Sequence, residues 1–322
     1  MRDYNQLLMQ AIRYQSPPEI PVSCHCLPSA WQAHGQDLIA VAKEYPDFLP
    51  HIPDLDNLEA GMPPTYKYGQ HTDEWGCVWS NSQVGMESIV TGHPIKTRED
   101  IINMKIPPNR DGRLPHGFMY LRLLDLRGFE EAMIDFAEEC DELQILIDKV
   151  EEYNRHQVAA ILPDVKEGGL VHFGDDLGIQ HGLAIGAEKW RKYLKPAFTR
   201  IYAPIKKKGA LIHMHTDGRV IDIMEDIVEC GVDMINPQFR ANGLDDLVKV
   251  CKGKIPINLD LDRQLFPVAT PSQIDDHVRE CVEALYMPEG GLALMVEVGH
   301  DIPLGNIVAI FDAVRKYRVH GN

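Results

Sequence analysis

Short apolar runs alternate with amphipathic helical stretches from about residue 117 to the end of the chain. The pattern repeats about every 20–40 residues, the spacing of β/α units. The apolar runs predict strands at 117–124, 170–177, 210–216, 232–237, 255–262 and 291–297. Strands that are apolar throughout are typical of a parallel sheet with helices on both faces. The alternation therefore restricts the chain to an α/β fold.

So many β/α units in 322 residues favour a closed (β/α)8 TIM barrel. Two further strands are expected at 20–26 and near 66–75, in an irregular N-terminal region rich in proline and aromatic residues. Residues 77–115 are expected to form a lid-like insertion. We expect a single domain over residues 1–322, because no linker or repeat interrupts it. An open doubly wound sheet is the alternative, but no G-x-G-x-x-G segment follows an early strand.

The composition excludes several classes of partner. A net charge of −16 argues against binding to nucleic acids or anionic membranes, which are polyanions. The sequence has no apolar run of about 18 residues, so no transmembrane helix is expected. The N-terminal residues do not resemble a signal peptide. Seven scattered cysteines do not form a disulfide framework in a chain of this size. Together these features predict a cytoplasmic protein with reduced thiols.

Polar side chains follow most of the predicted strands. In a (β/α)8 barrel the active site lies at the carboxyl ends of the strands, and seven of the eight predicted ends carry a carboxylate or a histidine. Burying so many ionisable groups together is costly unless a metal or a substrate pairs them. The candidate site residues are Asp73, Trp75, Asp175, Asp176, His213, His215, Asp217, Gln238, Asp260, Glu297 and His300. For a single aspartate such as Asp176, a helix N-cap is the alternative interpretation.

The segment LIHMHTDG, residues 211–218, is the strongest metal-binding candidate. Alternation along a strand places His213, His215 and Asp217 on one side. Imidazole nitrogens and carboxylate oxygens both suit Zn²⁺, and His300 is the best-placed further ligand from another strand. A histidine that hydrogen-bonds the substrate is the alternative, and it applies most directly to His213. Trp75 is either a core residue or one wall of a pocket for a flat aromatic substrate.

Several segments resemble the uroporphyrinogen decarboxylase superfamily. They are FGDDLGIQHGLAIGAEKWRKYLKPAFTRIY (173–202), HTDGRVIDIMEDIVECGVDMINP (215–237) and VEVGHDIPLGNIVAIFDAVRKY (296–317), and TDEWGCVW (72–79) extends the similarity. The resemblance implies a (β/α)8 barrel, and barrels of this superfamily often pair as homodimers.

Two branches of that superfamily differ in their first strand. True uroporphyrinogen decarboxylases carry an arginine-rich R-Q-A-G-R segment there, whereas this chain has PVSCHCLPSAW at 21–31, with no arginine. The sequence is more similar to the corrinoid-dependent zinc methyltransferases, whose H-x-C-G motif falls on His215 to Gly218. Asp217 then takes the place of the cysteine, and His300 that of a later cysteine ligand. The resemblance thus implies a zinc site of His215, Asp217 and His300, with Glu297 as a further ligand or a partner of His300.

This branch implies transfer of a methyl group from a small, methoxylated donor to the cobalt of a separate corrinoid protein. No D-x-H-x-x-G cobalamin-binding segment occurs in the 322 residues, so the corrinoid is expected on a partner. The expected catalytic residues are Asp73, Asp175 and Asp176, and the expected substrate-binding residues are Trp75, His213, Gln238 and Asp260. Two alternatives stay open: a cofactor-free decarboxylase that uses Asp73 and His300, and a non-catalytic barrel that binds a ligand or a partner.

Overall fold

The structure is a computed structural model that describes residues 4–319. Its strands are β1 (Val22–Cys26), β2 (Gly69–Thr72), β3 (Val78–Asn81), β4 (Ile89–Gly92), β5 (Leu170–Gly174), β6 (Leu211–Thr216), β7 (Met234–Pro237), β8 (Ile257–Asp260) and β9 (Leu292–Val298). Its helices are α1 (Tyr4–Ile12), α2 (Pro28–Glu44), α3 (Arg98–Asn103), α4 (Tyr120–Arg127), α5 (Phe129–Glu138), α6 (Asp141–Ile161), α7 (Gly186–Lys189), α8 (Lys195–Lys207), α9 (Met224–Glu229), α10 (Phe239–Asn242), α11 (Leu244–Cys251), α12 (Pro271–Leu285) and α13 (Leu304–Tyr317). Within this described part of the chain, no helix has both the length and the apolar character needed to cross a membrane.

The chain divides into two compact units. The first unit consists of Met1–His71, Ser80–Ile89 and Gln238–Asn322, and the second consists of Thr72–Trp79 and Val90–Pro237.

The first unit contains three parallel strands in the order β1-β9-β8. Strand β9 is buried along most of its length, as its apolar sequence requires. Helices α12 and α13 pack against each other, and α13 also contacts α2. The rings of Tyr45, Phe48 and Phe311 form an aromatic cluster between α2 and α13. The unit is therefore a parallel β/α layer with its own apolar core.

The second unit repeats this arrangement with strands in the order β5-β6-β7. Helix α8 packs on α6 and on β6. Its core is an aromatic cluster of Phe118, Phe173, Phe198 and Tyr202, with ring centroids 4.9–6.4 Å apart. The carboxyl ends of β5, β6 and β7 lie side by side. Asp175 and Asp176 follow β5, His213 and His215 lie on β6, and Asp217 follows β6.

The predicted α/β class with parallel strands is confirmed, but a full eight-stranded barrel is not seen. Residues 4–319 contain six parallel strands, three in each unit. Strand β2 pairs with β3 and with none of these six strands. The predicted strand 117–124 is wrong: Gly117 has a φ of +74°, and helix α4 begins at Tyr120. Its buried residues Tyr120, Leu123 and Leu126 recur at helical spacing. The single domain and the insertion at 77–115 stay predictions.

Candidate metal centre

The candidate site is built on one face of the second unit's sheet. In the parallel register His172 lies opposite His213, Gly174 opposite His215, and His215 opposite Asn236. Paired residues on neighbouring parallel strands direct their side chains to the same face of the sheet, and successive residues along one strand direct theirs to opposite faces. The predicted placement of His213 and His215 on one side of β6 therefore agrees with the register.

Two histidines and one aspartate converge at the carboxyl end of this face. His116, Asp176 and His215 each offer one ligand atom, and these atoms all lie within 4.8 Å of one another. His116 Nε2 is 3.0 Å from Asp176 Oδ1, and the rings of His116 and His215 have centroids 5.6 Å apart. Within residues 4–319 this His-Asp-His group is the one set of three such side chains close enough to hold a metal ion.

Asp217 and Asn236 flank His215 on opposite sides of its ring. Asn236 Oδ1 lies 2.8 Å from His215 Nδ1, and Asp217 Oδ1 lies 3.2 Å from His215 Nε2. An Nδ1–H donated to the amide oxygen leaves Nε2 as the nitrogen that faces the carboxylates. Metal-binding histidines are commonly oriented by such a hydrogen bond from the other ring nitrogen. The contact with Asn236 thus fixes His215 in the orientation that a metal ligand needs.

Backbone contacts join the loops after β5 and β6. The Asp217 N–H donates to Asp176 Oδ1 at 3.0 Å, and the Gly178 N–H donates to the Asp217 carbonyl at 3.2 Å. Gly218 has a φ of +81°, and a Cβ there would lie 2.2 Å from the Gly178 carbonyl carbon. A side chain at residue 218 would therefore push the loops apart, which explains why glycine follows the aspartate in HTDG.

The ionisation states in this region favour cation binding. Burial opposes ionisation of Asp176, but the contact with His116 and the N–H of Asp217 outweigh it and lower the pKa of Asp176. Burial and the neighbouring His172 and His215 lower the pKa of His213 to about 3, so its imidazole is neutral at physiological pH. An ionised carboxylate beside imidazoles is the ligand chemistry that zinc prefers, and this donor set fits a zinc ion.

Asp175, which precedes Asp176 directly, has a different environment. Its side chain is fully buried, and its two oxygens accept the N–H groups of Met119, Tyr120 and Leu121 at 2.6–3.0 Å. Burial raises the pKa of Asp175 to about 6, while the hydrogen bonds from Leu121 and Tyr120 act in the opposite direction. The side chain of this predicted catalytic residue therefore binds the start of α4, and its role as a proton donor stays a prediction.

Asp73 and Trp75 also lie in the second unit. Asp73 accepts hydrogen bonds from the N–H groups of Trp75 and Cys77, from Trp79 Nε1 at 3.0 Å and from Arg122 Nη1 at 2.6 Å. Trp75 is buried, and its ring packs edge-on against Tyr153 at 5.0 Å. These contacts place Trp75 in the core, and the predicted roles of both residues in catalysis and substrate binding stay predictions.

The other predicted residues belong to the first unit. Gln238 forms a parallel bridge with Asp260, whose Oδ2 lies 2.9 Å from Arg263 Nη2. The same guanidinium is 2.6 Å from Glu297 Oε1, so Arg263 pairs with two carboxylates. Arg263, Glu297 and His300 line a cavity of 480 Å³. That Glu297 and His300 join the ligand set of His215 stays a prediction, as do the substrate contacts of Gln238 and Asp260.

His116 is the site residue that sequence reasoning missed. His116 lies between the expected insertion at 77–115 and the predicted strand at 117–124. Because the candidate residues were taken from the carboxyl ends of predicted strands, His116 was not among them. A Cβ on Gly174 would lie 2.5 Å from His116 Nδ1, so the ring occupies the space left by a glycine on β5. The sequence signal for His116 is its position between Pro115 and Gly117. Proline restricts the backbone and glycine allows a positive φ, so a turn that presents the histidine is expected there.

Comparison with known proteins identifies the family. A solved structure of a "methyltransferase from Methanosarcina mazei" is 17% identical, with a TM-score of 0.67 over 98% of this chain and 99% of that chain. A dihydropteroate synthase from Xanthomonas albilineans, solved with 4-aminobenzoic acid, is 16% identical over 46% of this chain and 54% of that chain, with a TM-score of 0.30. No curated protein matches the sequence. The family model for uroporphyrinogen decarboxylase (URO-D) matches residues 121–317, more than half of the sequence. The chain therefore belongs to the uroporphyrinogen decarboxylase family.

Proposed function

We propose that this protein is a zinc-assisted methyltransferase that moves a methyl group from a small methoxylated donor to the cobalt of a separate corrinoid protein in the cytoplasm. The observation that carries the proposal is the convergence of His116, Asp176 and His215, with ligand atoms within 4.8 Å of one another. His215 of this group belongs to the HTDG segment, which resembles the zinc-dependent methyltransferase branch of the family. The fold shared with a methyltransferase of 17% identity is compatible with this branch.

Three residues would hold the zinc ion, and a fourth lies beside them. His116 and Asp176 approach from outside β6, His215 stands on β6, and Asp217 Oδ1 is 3.2 Å from His215 Nε2. Structural and catalytic zinc sites use three or four such ligands. When bound, zinc would supply Lewis acidity toward the donor oxygen from which the methyl group departs.

The protein's own residues would prepare the site for that chemistry. Asn236 orients His215, and the backbone N–H of Asp217 holds the ionised Asp176 carboxylate. The buried, neutral His213 lies one layer below on the same face and can accept or donate a hydrogen bond without adding charge. These residues bind, orient and stabilise, while the corrinoid that receives the methyl group is supplied by the partner protein.

The decarboxylase alternative gains no support from the environment of Asp73. Four donors, including Arg122, already engage its carboxylate. No second function is therefore proposed.

Metal analysis tests the proposal first. The full-length protein is stripped with chelator, reloaded with Zn²⁺ and assayed for bound metal, and about one tightly held zinc per chain is expected for a three- or four-ligand site. His215→Ala should lose that zinc. His172→Ala is the matched control, because His172 lies on the same sheet face opposite His213 but outside the His-Asp-His group. Zinc binding that survives His215→Ala would refute the metal assignment.

Methyl transfer is then measured with the zinc-loaded protein, cob(I)alamin and a panel of methoxylated aromatics and methylamines. Formation of methylcobalamin, followed by absorbance, is expected from a methoxylated donor with the wild type and not with His215→Ala. Methylcobalamin from methylamines alone would overturn the donor class. Absence of product with every donor would overturn the methyltransferase proposal itself.

A further inference from the structure

Three consecutive residues at the end of β5 contact the segment that carries His116. The Gly174 carbonyl accepts the N–H of Gly117 at 2.8 Å, Asp175 binds the N–H groups of residues 119–121, and Asp176 Oδ1 lies 3.0 Å from His116 Nε2. The side chain of His116 is 34% exposed, and the residue does not belong to a helix or strand. Its position therefore depends on how the residues after it are anchored.

Asp175 provides the main polar anchor at the start of α4. Its Oδ2 accepts from Met119 at 2.9 Å and Tyr120 at 2.6 Å, and its Oδ1 accepts from Leu121 at 3.0 Å. The first N–H groups of a helix have no partner within the helix, and α4 has no cap from its own flanking residue Met119. A buried carboxylate that is distant in sequence thus does what a local N-cap does elsewhere. The start of α4, four residues after His116, is thereby tied to the end of β5.

Gly174 completes the placement of the ring. A Cβ at this position would lie 2.5 Å from His116 Nδ1, closer than real Cβ contacts allow. The imidazole therefore lies directly against the β5 backbone, with its other nitrogen directed at Asp176. Only glycine on the strand leaves this space.

We infer that Asp175 is a positioning residue for the metal centre: by anchoring the start of α4 it holds His116 within reach of Asp176 and His215. The inference rests on the proposed function, because it takes the His-Asp-His group to be a metal site. Asp175 would not contact the metal itself, and its effect would be transmitted through the backbone between Met119 and His116.

A double-mutant cycle with Zn²⁺ and Co²⁺ tests the inference. Metal dissociation constants are measured by chelator competition for the wild-type full-length chain, Asp175→Asn, His116→Ala and the double variant. Asp175→Asn keeps the size of the side chain but removes acceptor capacity, and it should weaken zinc binding about 10–100-fold, as loss of an outer-shell support does. In the His116→Ala background the same change should alter affinity by less than about twofold, the error of additivity for independent sites.

Two further variants separate positioning from a general loss of stability. Gly174→Ala displaces the His116 ring directly, so it should lower affinity in the wild type and have little effect with His116→Ala. Thr97→Ala removes the capping box of α3, a comparable helix cap in the same unit, and should leave zinc affinity unchanged. The visible spectrum of the Co²⁺ form should change in the same way for Asp175→Asn and His116→Ala, which a purely structural defect would not produce.

The outcomes are distinct. Equal losses from Asp175→Asn with and without His116, or no loss at all, would overturn the positioning role while leaving the metal site intact. If Asp175→Asn does not fold, Asp175→Ser takes its place in the same cycle and is judged by the same criterion. A wild-type protein that binds neither metal would overturn the proposed function and this inference together.

Discussion

The contact between Gly178 and Gly218 gives a quantitative test of how the loops after β5 and β6 are joined. Gly218→Ala introduces two costs. The backbone of residue 218 has a φ of +81°, and a Cβ would lie 2.2 Å from the Gly178 carbonyl carbon and 2.3 Å from its oxygen. Because both atoms belong to the backbone, no side-chain rotation relieves the overlap. The change must either distort the loops or move them apart.

The two costs can be estimated separately. A left-handed conformation costs a non-glycine residue about 1–2 kcal/mol. Overpacking against a fixed neighbour adds about 1–3 kcal/mol. The free energy of unfolding should therefore fall by about 2–5 kcal/mol in Gly218→Ala. Two other glycines isolate the components: Gly186 has a φ of +74° with nothing within 4 Å of its Cβ position, and Gly178 lacks a positive φ but would place a Cβ 2.6 Å from the Arg219 nitrogen.

Urea unfolding of the three alanine variants, followed by circular dichroism, measures these free energies. Gly186→Ala should show the conformational cost alone, Gly178→Ala the overlap alone, and Gly218→Ala about their sum. Zinc affinity should fall in Gly218→Ala as well, since Asp217 and His215 precede the altered residue. A Gly218→Ala variant no less stable than Gly186→Ala would show that the loops are not in the contact described and would refute the argument.

Other predictions concern buried ionisable side chains away from the candidate site. Asp135 is 1% exposed and lies 2.8 Å from both Arg98 Nε and Arg127 Nε, so Asp135→Asn should lower the free energy of unfolding by about 3–5 kcal/mol, as measured by urea titration. A change below 1 kcal/mol, as for a surface pair, would contradict the buried ion-pair geometry. Burial lowers the pKa of His277 from 6.5 to about 4, and its Nε2 accepts the Asp262 N–H at 3.1 Å. Stability from this group is present above pH 6.5 and is lost as pH falls toward 4, by about 3 kcal/mol in total, so His277→Gln should flatten the stability profile between these pH values.

The regular part of the fold could be predicted from the sequence because its signal is local. Apolar runs bounded by helical stretches located β5 to β9 within a few residues, and the alternation of side chains placed His213 and His215 on one face of β6. The strand predicted at 117–124 was wrong because the run GFMYLRLL is too short to distinguish a strand from a buried helix. What selects the helix is a cap from Asp175, more than fifty residues away in sequence, which local patterns cannot reveal.

The site shows the same division between local and non-local information. His215 and Asp217 were predicted as ligands because they lie at the end of one strand in a recognisable motif. The adjacent acids Asp175 and Asp176 could not be told apart, since a carboxylate at a strand end can cap a helix or face a ligand. Their environments in the structure distinguish them. Asp175 accepts three N–H groups at the start of α4 in the core, and Asp176 faces His116. His116 was missed because the space it occupies is created by a glycine on a strand distant in sequence.

If the site binds zinc as proposed, the hydrogen bond from the Asp217 backbone to the Asp176 carboxylate has a consequence for the apoprotein. The Asp217 N–H remains bonded to the Asp176 carboxylate when no metal ion is bound. The close contact between Gly178 and Gly218 limits the movement of the loops after β5 and β6. The backbone should then differ little between the apoprotein and the metal-bound protein. The metal ion would enter a preformed site, and its binding would not be coupled to folding. Rates of metal exchange would in that case be set by access and ligand protonation, with no slow rearrangement of the chain.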